Sequence, residues 1–367
     1  MAFRTSEYLQ RSELVRYQLD DVIRLPGNGQ HQQKTGYKFT INDRSSYYDW
    51  YNAYFEVQFK LQKLAAGAAY ATAAADQISI INGSHSLINH IMIKSAGNIV
   101  YDTNNLHKVT FVKNLLEYSD DYSRSVGKNS LWYLDTTKTT VLDDNLGFKS
   151  RNLLIRDNKN VNVIIPLNRY SFFEELNERM LVPMQLEFNI ELQNDNELIY
   201  KADAVDDGRV VVNRFLLWVP RLLPKDSLFD EFVDSFMKTQ TWTYKREMYQ
   251  SSSSPTHSSG FFQISSSIDN VTDIFIYLQR DKTNNEVANP YIFDTFKLDS
   301  VDNAAVNHRY LTTCRLEYGN GIFYPETEYD SESKVRIFND LMTYGMRKNN
   351  KNSGTHSIYR ITMIFIL

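Results

Sequence analysis

Residues 53–61 read Ala53-Tyr54-Phe55-Glu56-Val57-Gln58-Phe59-Lys60-Leu61. The alternation is strict: Ala53, Phe55, Val57, Phe59 and Leu61 fall on one side, Tyr54, Glu56, Gln58 and Lys60 on the other. Successive side chains of a strand point to opposite faces, so this stretch predicts a strand with one buried and one wet face. Residues 185–193 repeat the pattern, with Leu186, Phe188, Ile190 and Leu192 inward. Ile274, Ile276 and Leu278 alternate with Phe275, Tyr277 and Gln279, a strand covered on both faces. Further strands are predicted over 77–81, 91–94, 99–101, 161–166, 210–219, 239–249, 261–265, 311–318 and 359–367.

Turn chemistry separates these runs. Ala96-Gly97-Asn98 sits between two short apolar runs as a hairpin signal, and Tyr318-Gly319-Asn320-Gly321 is another. Residues 251–259, Ser251 to Ser259, form a polar loop around Pro255. Helical periodicity is scarce. Over 104–118, Leu106, Val109, Val112, Leu115 and Leu116 share one face, with Asp102 or Thr103 as cap. Leu228, Phe229, Phe232, Val233 and Phe236 do the same over 227–238, and Val335, Phe338, Leu341 and Met342 over 331–344. A polar break near 194–208 divides the chain into two β-rich halves, and many short strands with long connections favour sandwiches or barrels.

Composition agrees with a packed β protein. The chain has 367 residues, 42% of them hydrophobic, 23% charged and 13% aromatic, which excludes disorder and fibrous repeats. A chain of this size buries about three quarters of its unfolded surface. The net charge of −4 and the lack of a basic stripe argue against a protein whose main task is holding nucleic acid. The densest basic cluster, Arg347, Lys348 and Lys351, sits in an Asn-rich loop. The single cysteine, Cys314, allows no internal disulfide and is expected as a small buried hydrophobe in a strand. The opening residues lack a signal-peptide pattern, and the uncharged run 64–75 is too short to span a bilayer. Synthesis in the cytosol without secretion is therefore expected, and the sequons at Asn82 and Asn270 are expected to be chance matches.

The chain offers no catalytic, cofactor-binding or metal constellation. It has no nucleophile elbow and no glycine-rich phosphate cradle. His85 and His90, the closest pair of histidines, are five residues apart and share neither a helix face nor a strand face. The carboxylate pairs Asp20-Asp21, Asp120-Asp121, Asp143-Asp144 and Asp206-Asp207 lie where Asp is favoured by local turn and helix-end chemistry. Trp242, Tyr244, Lys245 and Arg246 form the best candidate stacking platform for a base or a sugar, with a half-buried sheet as the simpler account. A large aromatic β chain without a site reads as a structural or binding protein and as no enzyme.

One stretch carries a family resemblance. Residues 86–135 run from Ser86-Leu87-Ile88 through a short turn to Ile99-Val100-Tyr101-Asp102-Thr103-Asn104-Asn105, then a helix ending Lys113-Asn114-Leu115-Leu116-Glu117-Tyr118, then Trp132 to Asp135. This order is similar to the first half of the double jelly-roll major capsid proteins of Polinton (Maverick) elements and adintoviruses. Phe215 to Val219, the helix over 227–238 and Trp242-Thr243-Tyr244 resemble the start of that family's second roll. Phe293 to Leu298, Leu316-Glu317-Tyr318 and Tyr324-Pro325 resemble its later part. The resemblance covers about residues 50–345.

The resemblance implies an all-β double jelly roll, two antiparallel β-sandwich barrels side by side with a few short helices. Its parts would be an N-terminal arm over 1–36, a first jelly roll over 37–205 and a second over 206–367. It further implies a non-catalytic major capsid protein in the virion shell of an icosahedral DNA virus. The subunits would form homotrimers as pseudo-hexagonal, hexon-like capsomers that meet neighbouring capsomers and penton or minor capsid proteins. No cofactor, no direct sequence-specific nucleic-acid contact and no membrane span are expected. Loops 251–259 and 281–290 would project outward, and helices 104–118 and 331–344 would pack across a sheet end. The alternatives are a soluble β-sandwich binding module, lectin-like or carbohydrate-binding, and a jelly-roll enzyme with a metal in the barrel mouth.

Overall fold

A computed structural model describes residues 9–17, 21–25, 34–43, 46–63, 78–135, 143–157, 159–177, 183–201, 208–224 and 244–251. It further describes 275–277, 313–318, 322–330 and 364–366 together with a few single positions. The chain opens with strands β1 (Leu9–Tyr17), β2 (Asp21–Leu25), β3 (Lys34–Ile41), β4 (Tyr47–Tyr48), β5 (Tyr54–Lys63) and β6 (Ile78–Ile80). A 3-10 turn at Ser84–Leu87 leads to β7 (Ile88–Ser95), β8 (Asn98–Thr103), helix α1 (Leu106–Glu117), α2 (Asp120–Arg124) and α3 (Leu146–Ile155). Then come β9 (Val161–Pro166), α4 (Ser171–Glu174), β10 (Leu186–Leu192), α5 (Asp195–Leu198), β11 (Ile199–Lys201) and β12 (Gly208–Pro224).

Strand order decides the architecture. One sheet runs β1-β12-β5-β9, with β4 also pairing β12, and the other runs β2-β3-β10-β7-β8. Every pair is antiparallel. Setting aside the accessory strands β2 and β4 and the short β6–β11 pair, one sheet holds the first, eighth, third and sixth strands and the other the second, seventh, fourth and fifth. Apart from the β7–β8 hairpin, consecutive strands cross from one sheet to the other, the connectivity of an eight-stranded jelly roll. The fold is mostly antiparallel sheet with a few short helices, as the strand patterns predict.

The alternating strands build the core between the sheets. Phe55, Val57 and Phe59 of β5 are fully buried, as are Phe39 on β3, Phe188 on β10 and Leu217 on β12. Phe39, Phe55 and Phe215 pack ring to ring at 5.3–5.8 Å, and Trp50 joins Phe173 and Phe188 at 5.8–6.0 Å. Burying each such ring contributes about 2–3 kcal/mol.

The pairing runs across two of the expected boundaries. β1 lies in the stretch expected as an N-terminal arm, and its Leu14, Val15 and Tyr17 pair with Pro220, Val219 and Leu217 of β12. β12 begins in the stretch expected to open a second roll, and in its sheet it lies between β1 and β5. The polar break near 194–208 marks a connection inside the roll, because Asp195 caps the entry of β12 by accepting the Val210 N–H at 2.9 Å.

Other expectations shift by physical cause. The α1 cap is Asn105, in the left-handed region with φ 53°, and no side chain caps the helix; Asp102 and Thr103 remain in β8. Residues 244–250 carry no strand, contrary to the alternation over 239–249; their polar groups go to an existing sheet edge instead. Gly97, with φ 87°, and Ala96, with φ 48°, make the expected β7–β8 turn. Beyond residue 250, β13 (Phe275–Tyr277), β14 (Thr313–Tyr318), β15 (Ile322–Asp330) and β16 (Ile364–Ile366) form two antiparallel pairs, β13–β16 and β14–β15. The expected helix over 227–238, the strand over 261–265 and the loop over 281–290 lie outside the described residues; of 331–344, Val335, Arg336 and Asn339 are helical.

Candidate functional site

The polar side chains that matter most lie at one end of the roll, where α1 packs against Ser84–Leu87 and β7. α1 is buried nearly all round, so Lys113, Asn114 and His107 enter the interior with its apolar residues. Burying charge is costly unless it is paired, and here it is paired. Arg169 donates to Asn114 Oδ1 at 2.8 Å and to Glu117 Oε2 at 2.7 Å, and its guanidinium lies 4.7 Å from the Tyr118 ring centre. Lys113 donates to Glu174 and to the Arg169 carbonyl. Tyr118 stacks on Tyr122 at 3.9 Å and meets Trp132 edge-on.

α3 has an inverted pattern. Its inner face carries Arg151, which donates to the carbonyls of Ile80 and Tyr133 and to Asp135 Oδ1 at 3.2, 2.6 and 2.8 Å. Asn152 donates to the Ile78 carbonyl at 2.7 Å. Both residues serve β6, a strand whose described pairing is to β11 alone. Leu146, Leu153 and Leu154, spaced i, i+7 and i+8, are exposed on the outer face.

Burial holds the imidazoles of His85 and His107 neutral and pushes both down to about 3, with Arg169 and Lys113 adding to the effect at His85 and Lys108 at His107. His85 has no hydrogen-bond partner at either ring nitrogen among the described residues. The Gln193 amide lies 2.7 Å from His107 Nε2. His90 sits on the outer face of β7, 2.6 Å from Asp102 and 3.6 Å from Glu191. His85 and His90 therefore serve different surroundings. Among the described residues no cluster of three or more His, Cys, Asp and Glu has the geometry to hold a metal.

The remaining sequence candidates disperse. Asp120 and Asp121 open α2 behind the Ser119 cap, and Asp120 pairs with Arg124. Asp143 pairs with Lys149, whose hydrogen bond and charge hold its carboxyl below the ordinary range. Asp21 begins β2, while Asp20, Asp206 and Asp207 lie outside the described residues. So do Trp242, the side chain of Cys314 and the Arg347, Lys348, Lys351 cluster. Asn82 of the first sequon is buried, and its side chain accepts the Tyr133 N–H at 2.8 Å, so no glycan can be added there in the folded state. Tyr244 and Arg246 do not form a platform: Tyr244 lies edge-on to Phe172, and both donate to carbonyls of β8. Arg151, Arg169 and Glu247 carry most of the polar architecture and have no signature in sequence beyond a charge inside an apolar run.

The fold and its polar end define a jelly-roll protein whose buried arginines and Lys113 are held by carboxylates and carbonyls of the same roll. No family model matches the sequence, and no curated protein matches it. Among solved structures the chain is similar to the Sputnik virophage structure determined by cryo-EM, with TM-score 0.37 and 9% identity over 59% of this chain and 49% of that one. It is similar to the Faustovirus major capsid protein, with TM-score 0.37 and 8% identity over 62% and 56%. The mavirus major capsid protein matches with TM-score 0.32 and 10% identity over 58% and 46%. The chain thus spans about half the length of these structures. No helix among the described residues is long and apolar enough to cross a membrane.

Proposed function

We propose that the chain is a viral major capsid protein, a non-catalytic wall unit of the virion shell. The observation that carries this reading is the eight-strand jelly-roll connectivity over residues 9–224, followed by further antiparallel pairs after residue 274. On this reading the later strands belong to a second roll, the roll boundary falls after β12, and the type is that of Polinton elements and adintoviruses. Three copies, each supplying two rolls, make a pseudo-hexagonal homotrimer that meets its neighbours and the penton or minor capsid proteins at the vertices. The exposed leucines of α3 support association between copies, and the near-neutral charge supports tile contacts over genome binding. The protein is made in the host cytosol and resides in the virion.

The lectin-like alternative needs an exposed aromatic platform around Trp242 to Arg246. Tyr244 and Arg246 are instead engaged by the roll itself. The test is light scattering after size exclusion. The 42.8 kDa chain is expected as a trimer of about 128 kDa with a pseudo-hexagonal outline in negative stain. A monomer of 42.8 kDa that persists at high micromolar concentration overturns the reading.

A further inference from the structure

Among the described residues β8 is an edge strand, paired on one side with β7. An edge strand presents a row of free backbone donors and acceptors to any other chain. Val100 stands at a bulge, since Tyr101 pairs with Ile93 and Ile99 with Lys94. Ile99 is 58% exposed, so the edge is apolar as well as open.

Residues 244–249 lie along this edge without forming a strand. The Tyr244 hydroxyl donates to the Val100 carbonyl, and Arg246 Nε donates to the Asp102 carbonyl at 3.0 Å. Both carbonyls belong to the edge strand and each accepts a side-chain donor from this segment. Side chains thus occupy the acceptors that an added strand would use. Glu247 turns inward between these contacts. Its carboxylate accepts from the Tyr101 hydroxyl at 2.6 Å, from the Ser171 N–H at 2.8 Å and from the Ser171 hydroxyl. Thr103 donates to the Glu247 carbonyl at 3.4 Å. The Tyr244 ring packs edge-on against Phe172 at 5.1 Å, and the Lys108 ammonium lies 5.1 Å from the Tyr249 ring centre. β8 and α4 are therefore tied to one irregular segment through a single inward carboxylate, and α1 meets the same segment through Lys108 and Tyr249.

We propose that residues 244–249 are a side-chain clasp, keyed by Glu247, that keeps the β8 edge from accepting a strand of another copy of this chain. The clasp blocks pairing without itself pairing, and it works together with the bulge at Val100, which bends the edge. The inference is independent of the capsid reading and concerns only association in excess of that of the wild type.

Hydrogen exchange and light scattering on the full chain test it. In Glu247→Ala the Ser171 amide and the amides of 98–103 are expected to exchange at least tenfold faster, with growth of thioflavin-positive oligomers beyond the wild-type assembly. The double variant Tyr244→Phe/Arg246→Ala removes only the two donors to the edge and holds the test if Glu247→Ala fails to fold. It too must speed exchange in 98–103 and raise association, and Ile99→Lys added to it must abolish that excess. Unchanged exchange in 98–103 overturns the proposal. So does faster exchange without added association, or an excess that Ile99→Lys leaves intact.

Discussion

Phe55 and Arg151 are equally inaccessible, at 0% and 1% exposure, yet different physics holds them. Phe55 lies between the sheets, its ring against those of Phe39, Phe188 and Phe215. Arg151 lies at the end of the roll and satisfies two carbonyls and a carboxylate through bonds of defined direction. The sandwich interior is an apolar volume that several residue sets could fill. The polar end is a set of specific pairings in which each charged group is held by named partners and is costly without them. The two regions should therefore respond differently to substitutions of similar size.

The largest effect is expected at the polar end. Arg151→Met keeps much of the volume but leaves Asp135 and the carbonyls of Ile80 and Tyr133 buried without this donor. The expected loss is about 3–5 kcal/mol, read from urea midpoints. Adding Asp135→Leu should return about 1–3 kcal/mol, because a buried carboxylate that has lost its cation costs more than an apolar side chain there. A single variant no less stable than the wild type would erase the distinction between the regions.

Acid separates the regions next. The unfolded chain protonates His85 and His107 near pH 6.5, whereas the folded chain does so only near 3. Between these values the unfolded state binds more protons, so stability falls as pH drops, by about 1.4 kcal/mol per pH unit for each histidine. Asp195 works in the opposite sense. Burial raises its carboxyl from 3.8 to about 6, so its contribution is lost as pH rises through that window and partly offsets one histidine there. His85→Leu removes one of the two histidines and leaves no partner stranded, since none is bonded to the ring among the described residues. Its stability should fall by about 2–3 kcal/mol less than that of the wild type between pH 6.5 and 4.5. Parallel pH profiles for the two proteins would refute this.

The sandwich interior should yield smaller steps. Ile165→Val on β9 deletes one fully buried methylene and should cost about 1 kcal/mol, with no pH dependence. A cost above about 3 kcal/mol would mean that the interior is as exacting as the polar end.

This contrast explains what could be read from sequence. The core of β5 and β10 was legible because period-2 alternation is the direct record of one buried face. β12 was legible only in part. Val210 and Val212 point inward opposite Leu61 and Phe59, but past the bulge at Asn213 the inward set becomes Phe215, Leu217 and Val219, a change of parity that alternation alone does not announce. β1 is not legible because Leu14, Val15 and Tyr17 stand among charged residues, and its place depends on β12, about 200 residues away in sequence. The polar end was the least legible part. Nothing local marks Arg169 as the partner of Glu117 or Glu247 as the partner of Ser171, because those pairings join elements far apart in the chain.

The smallest effect lies in the one feature of the sandwich that the sequence announced while choosing an imperfect residue for it. The β7–β8 turn places Ala96 at φ 48° and Gly97 at φ 87°, and Ser95 pairs with Asn98 across it. Both central residues are left-handed, as the turn that matches strand twist requires. Gly97 adopts this without cost and nothing lies within 4 Å of its missing Cβ, so its role is conformational. Ala96 bears the crowding of Cβ against the following carbonyl, which Asn tolerates better. Ala96→Asn should therefore stabilise the roll by about 0.5–1 kcal/mol, and Gly97→Ala should destabilise it by a similar amount. Both shifts should appear in the urea midpoint with m unchanged, because the turn alters neither the buried core nor the polar end. If Ala96→Asn instead destabilised the protein, the hairpin geometry would not be what sets the β7–β8 register. That register would then rest on the cross-strand pairs Ile93–Tyr101 and Ile91–Thr103, returning the control of the edge strand to the sandwich interior.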